Sequence, residues 1–104
     1  MGEFTTIAET TEIPPGQAKC IEIADRKVAV FNVGGVYYAI DDTCTHRGGP
    51  LSEGEVEGTQ VTCPWHGAMF NLMSGEVLGP PAPSGVRGYT VHVEGNEVKI
   101  EIPS

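Results

Sequence analysis

Two short segments of the chain each pair a cysteine with a histidine, Cys44-Thr45-His46 and Cys63-Pro64-Trp65-His66, with sixteen residues between them. Thiolate and imidazole bind borderline and soft transition metals well, and two of each suit either tetrahedral zinc or an iron–sulfur cluster. In a zinc finger the second pair is usually two histidines, three to five residues apart on a helix. Here each pair is mixed and lies in a loop, which suits a two-metal object. If each segment gives one of each ligand, the two cysteines can bind one iron and the two histidines the other, with sulfides bridging them.

The flanking residues favour close backbone approach. Gly48-Gly49-Pro50 follows the first pair and Gly67 the second, so main-chain amides can point at bridging sulfides with no Cβ in the way. Such donors stabilise the extra negative charge of a reduced cluster. Trp65, between the second cysteine and histidine, is either a core-filling ring or a shield over one side of the cluster. Gly79-Pro80-Pro81-Ala82-Pro83 is stiff and poor in backbone donors, a composition suited to a rigid cover. Arg47 beside His46 is either a solvated charge or a contact for a partner. Cys20 and His92 lie in alternating segments far from either pair, and are read as a small strand residue and a solvent-facing strand residue.

The elements that must position these residues read as strands. Fourteen glycines and eight prolines punctuate short runs of period-two alternation, and helical periodicity is nowhere sustained. Val98, Ile100 and Ile102 alternate with Glu97, Lys99 and Glu101, and Gly95-Asn96 links that strand to Tyr89, Val91 and Val93, so a hairpin is expected with these valines and the tyrosine on its apolar face. Cys20 to Ile23, Lys27 to Val33 and Val36 to Ile40 read as a three-strand meander, with a first strand around Phe4 to Ala8. The middle of the chain, about 41–83, shows only short strand candidates near Val61 and Met69 between glycine-rich and proline-rich loops. The expectation is one domain over 1–104: an all-β, antiparallel β-sandwich base formed by 1–40 and 84–104, with a small inserted cluster-binding lobe. Glu53, Glu55 and Glu57 alternate like an exposed strand face that could also meet a basic partner.

Bulk properties narrow the function. The 104 residues carry fourteen acidic and six basic side chains, a formal charge of −8 that repels nucleic acid and anionic membranes and favours a partner with a basic docking face. No apolar run approaches the roughly 20 residues that cross a bilayer, and Met1-Gly2-Glu3-Phe4-Thr5-Thr6 lacks a signal-peptide pattern. Three cysteines is an odd count for a disulfide scaffold. A cytoplasmic location is expected.

Cys44-Thr45-His46-Arg47-Gly48-Gly49-Pro50-Leu51 and Cys63-Pro64-Trp65-His66-Gly67-Ala68-Met69-Phe70 resemble the two cluster-binding loops of Rieske proteins. The match continues through Gly75-Glu76-Val77 to the proline loop and the C-terminal hairpin. Size and the lack of other domains are similar to the stand-alone Rieske ferredoxins of bacterial multicomponent aromatic-ring dioxygenases. The resemblance implies one [2Fe–2S] cluster on Cys44, His46, Cys63 and His66, and a monomeric one-electron carrier with no catalytic residues. Its partners would be a flavin-dependent ferredoxin reductase and a terminal aromatic-ring-hydroxylating oxygenase, docking near His46 and His66. The respiratory Rieske proteins have a disulfide-forming cysteine in each loop, and Gly49 and Trp65 hold the matching positions. They also place serine and tyrosine hydroxyls near cluster sulfurs, where Ala68 and Phe70 stand here, which implies a potential toward the low end of the Rieske span, about −150 mV at that end. Two other readings use the same ligands: a small Rieske subunit of an assimilatory nitrite reductase, and a structural zinc module for protein interaction.

Overall fold

A computed structural model describes residues 3–23, 26–42, 50–64, 67–79 and 85–102. Among them there are eleven β-strands, two single-turn 3-10 helices (Thr10–Glu12 and Leu51–Glu53) and no α-helix. All strand pairs are antiparallel, in three sheets. One has the order β1 (Glu3–Glu9), β11 (Glu97–Ile102), β10 (Val91–Glu94); a second β2 (Ala18–Ile23), β3 (Arg26–Val33), β4 (Val36–Asp41), β9 (Gly88–Tyr89); the third β5 (Glu55–Glu57), β6 (Gln60–Thr62), β7 (Met69–Asn71), β8 (Val77–Gly79). The chain is all-β and antiparallel, as its alternation predicts.

The second sheet is the middle layer, and its sequence shows it. Successive strand residues point to opposite faces. Along β3, Val28 and Val30 join Ala39, Tyr89, Val98 and Ile100 in one core, while Ala29 and Phe31 join Ile40, Leu51, Val61, Cys63 and Phe70 in the other. A strand buried on both faces has no polar stripe, so Val28-Ala29-Val30-Phe31 is an unbroken apolar run. By contrast β11 covers one face only, and Val98 and Ile100 are fully buried while Glu97 is exposed and Lys99 and Glu101 are only partly covered.

The meander strands extend a residue or two beyond the expected bounds, and β1 runs Glu3–Glu9 with a bulge between Thr6 and Ala8. The C-terminal hairpin differs from expectation at its start. Tyr89 does not continue into the strand of Val91 and Val93: it pairs with Ala39 of β4, and the chain passes at Thr90 from the middle sheet to the outer one. The reason is a competing partner, since the Tyr89 hydroxyl donates to the Asp41 carboxylate at 2.5 Å. Val93, at the far end of an edge strand, is exposed rather than inward. Between 55 and 79 the chain forms four short strands where the sequence suggests two. Glu53, Glu55 and Glu57 are exposed, but Glu53 belongs to a 3-10 turn, and Val56 is exposed as well, so β5 has little buried face.

Two devices hold the turns. Asn32, one of two buried polar residues among those described, donates to the Ile13 carbonyl and accepts from the Gly35 amide, both at 2.8 Å, fixing the β3–β4 turn. Gly75, with φ of +81°, lies so close to the next passing strand that a Cβ there would stand 2.1 Å from the Val86 carbonyl oxygen. Gly58 also has positive φ, but nothing lies within 4 Å of its missing Cβ. Gly75→Ala should therefore cost about 3 kcal/mol or more in urea unfolding, through strain and a backbone clash, and Gly58→Ala about 1 kcal/mol through strain alone. Equal losses in the two variants would refute the close contact.

Candidate metal centre

Of the four expected ligands the structure places one. Cys44, His46 and His66 lie outside the described residues, as do Arg47, Gly48, Gly49, Trp65 and the proline run 80–83. Cys63 follows β6 directly and is 2% exposed, in the core with Val61, Ala68, Phe70 and Leu72. Its amide donates to the Ala68 carbonyl at 2.7 Å, and its carbonyl accepts from the Gly67 amide at 3.1 Å. Gly67 has φ of +78°, which only glycine adopts without strain. The chain thus turns back within five residues, and the ends of the segment that contains His66 are pinned by backbone bonds.

The environment of Cys63 is apolar. Ala68 and Phe70, fully buried, contribute no hydroxyl to it. Leu51, at the return of the segment that carries Cys44 and His46, is buried in the same core. The described parts of both ligand segments therefore converge on one apolar cluster, between the middle sheet and the β5–β8 sheet. A set of two thiolates and two imidazoles in mixed pairs has the chemistry of a [2Fe–2S] centre with divided ligation, and of that set Cys63 is the described member.

The remaining singled-out residues lie elsewhere. His92 is exposed on β10, 3.7 Å from the Glu94 carboxylate and edge-on to Phe4 with ring centres 5.8 Å apart. Cys20 is on edge strand β2 and is not bridged to Cys63. Partial withdrawal of its thiol from water and the negative Asp42 carboxylate, burial first, push its pKa up to about 11. Sequence reasoning passed over Asp41 and Asp42, which look like ordinary strand-end charges. Asp42 is in fact 4% exposed. Asp41 accepts from Tyr89, whose own pKa is raised by burial and by that bond, and from the Arg87 amide at 3.3 Å. A doubled Asp two residues before a Cys-x-His was the available signal; their partners, at Lys27, Ser52, Arg87 and Tyr89, are too distant in sequence to be read from it.

The Rieske [2Fe-2S] domain family matches residues 3–90, and the chain belongs to it. It is 42% identical over 93 residues to the 3-phenylpropionate/cinnamic acid dioxygenase ferredoxin subunit of Escherichia coli (strain K12), a match covering 88% of this chain and 87% of that one. Among solved structures, the ferredoxin of carbazole 1,9a-dioxygenase from Nocardioides aromaticivorans IC177 superposes with a TM-score of 0.88 and 26% identity, over 93% of this chain and 95% of that one. A complex of reduced oxygenase and oxidized ferredoxin in carbazole 1,9a-dioxygenase gives 0.86 and 30%, over 94% and 92%. The family carries one Rieske-type [2Fe–2S] cluster, so the zinc reading falls away.

The Cys20 environment makes a direct prediction. A thiol reacts as its thiolate, and a raised pKa keeps it protonated near neutral pH. Alkylation of Cys20 by iodoacetamide, followed by mass spectrometry of its peptide, should be slow near neutrality and keep rising toward pH 11. A plateau near pH 9 would contradict the raised pKa and the partial burial that is its first cause.

Proposed function

We propose that this chain is a low-potential one-electron carrier, holding its cluster on Cys44, His46, Cys63 and His66. It would pass electrons from a flavin-dependent ferredoxin reductase to a terminal aromatic-ring-hydroxylating oxygenase. The observation that carries this reading is the 42% identity to a dioxygenase ferredoxin subunit, over nearly the whole of both chains, together with the complete set of four ligands in this sequence. The cluster, when bound, supplies a one-electron redox change and nothing else is required of it. The chain is accordingly an electron-transfer component and not itself the enzyme. The nitrite reductase subunit remains the weaker reading, because the ferredoxin subunit is similar in both length and sequence.

The residues around the cluster have separable tasks in this proposal. Cys63, buried in apolar surroundings, would hold one iron together with Cys44. His46 and His66 would hold the other, and their unligated ring nitrogens would be available to a partner and to the electron it takes up. Residues 41–83 act as the cluster-binding lobe on a base formed by the rest of a single domain. The formal charge of −8 favours docking to a basic face on the oxygenase or reductase. Among the described residues no helix is long and apolar enough to cross a membrane, in keeping with a cytoplasmic, monomeric shuttle.

Ala68 and Phe70 bear on the potential. Hydrogen bonds to cluster sulfurs stabilise the reduced state, and these two buried side chains have none to offer. Protein-film voltammetry should therefore place the midpoint below zero, in the lower part of a Rieske range of roughly −150 to +300 mV. A value above zero would overturn the low-potential assignment. After dithionite reduction the protein should show the low average g value of a mixed-ligand cluster, and electrons should flow to a ring-hydroxylating oxygenase when reductase and NADH are supplied. His66→Ala should abolish stable cluster assembly while His92→Ala leaves it intact. A colourless preparation with one zinc per chain, or cluster retention in His66→Ala, would defeat the ligand assignment.

A further inference from the structure

We propose that Asp42 is a positioning residue for the Cys44–His46 ligand pair, acting by holding together the two ends of the segment that carries them. The proposal rests on the ligand assignment above. Eight residues, 43–50, separate Asp42 from Leu51, and both ligands are among them. Asp42 sits at the exit from β4 and uses each of its polar groups to tie that exit to the return. Its amide donates to the Lys27 carbonyl at 2.9 Å, which anchors it to β3. Its carbonyl accepts from the Leu51 amide at 2.6 Å, and its carboxylate oxygen Oδ1 accepts from the Ser52 amide at 2.7 Å.

Burial makes this arrangement more than a surface turn. A carboxylate on a residue that is 4% exposed is costly unless its lone pairs are satisfied, and here the Ser52 amide donates to Oδ1. The return end is equally well fixed, because the Leu51–Glu53 turn packs on β2 and β3 and Leu51 is fully buried beside Cys63. Asp42 therefore refers the first ligand pair to the same core that holds Cys63, the ligand of the second pair. A cluster gripped from two segments is retained only as well as those segments keep their spacing, and partners one step behind the ligands commonly set metal retention.

Asn32 provides the control. It is the other buried polar residue among those described, and it likewise fixes a turn, but at the opposite end of the β3–β4 hairpin, about 20 Å away along β4. The test uses purified cluster-loaded protein and reads two quantities, the rate of iron loss to a chelator and the g values of the reduced cluster. Asp42→Ala should lose iron about tenfold faster than wild type and shift or broaden the signal. Asp42→Asn, whose amide oxygen can still accept from Ser52, should restore both. Asp42→Glu, which moves the acceptor by one methylene, should share the faster loss and is the variant read if Asp42→Ala does not accumulate. Asn32→Ala should lower the melting temperature yet keep wild-type iron loss. Wild-type retention and g values in Asp42→Ala or Asp42→Glu, or equally fast loss in Asn32→Ala, would overturn the proposal. Absence of a mixed-ligand signal in the wild type would instead overturn the ligand assignment beneath it.

Discussion

The run from Gly85 to Tyr89 is squeezed between two sheets, and the placement of the cluster-bearing part of the chain depends on that squeeze. On one side the Val86 amide donates to the Gly75 carbonyl at 2.7 Å, and a Cβ at Gly75, Gly85 or Gly88 would stand under 3 Å from a backbone oxygen of the opposing segment. On the other side the Asp41 amide donates to the Arg87 carbonyl at 2.9 Å, and the Asp41 carboxylate takes the Tyr89 hydroxyl. Backbone can approach backbone this closely only where side chains are absent. The β7–β8 hairpin and the end of β4 are thereby fixed to one another through a shared strand. The segments that leave from β4 and return into Gly85 start and end at this junction.

Packing on the two faces of the middle sheet then divides the work. The face toward β1, β10 and β11 is closed by Val28, Val30, Val98 and Ile100. The face toward β5–β8 is closed by Phe31, Ile40, Leu51, Phe70 and Leu72, with Cys63 among them. The Cys63 side chain, seated in a close-packed apolar core, is held by its neighbours' shapes. This suits a carrier whose two redox states must differ little in structure, since geometry that does not change on electron transfer leaves little to reorganise.

Charge acts at longer range. The chain is strongly acidic, and the described acidic side chains on β5 and its approach are exposed, whereas Cys63 packs with apolar side chains such as Val61, Phe70 and Leu72. Surface charge of this kind steers encounter with a basic face at long range, separately from the packing around Cys63.

Much of this was legible before any coordinates. The two Cys-His segments declared themselves by residue type and spacing, because metal ligands cannot be exchanged for other side chains. The strands of the meander and of β11 followed from alternation and turn glycines, which are local properties. What the sequence left open were contacts made by residues far apart in the chain. Tyr89 looked like the start of the C-terminal hairpin because its alternation continues through Val91, and only the reach of its hydroxyl to Asp41 assigns it to another sheet. The four short strands from β5 to β8 were half hidden, since three-residue strands leave almost no periodic signal. Asp42 had the appearance of a solvated acid until Lys27, Leu51 and Ser52 converged on it. The Cys-His pairs were thus written in the local sequence; the contacts that fix the ends of the segments carrying them were decided by tertiary packing, because burial and hydrogen bonding between distant segments exist only once the chain has folded.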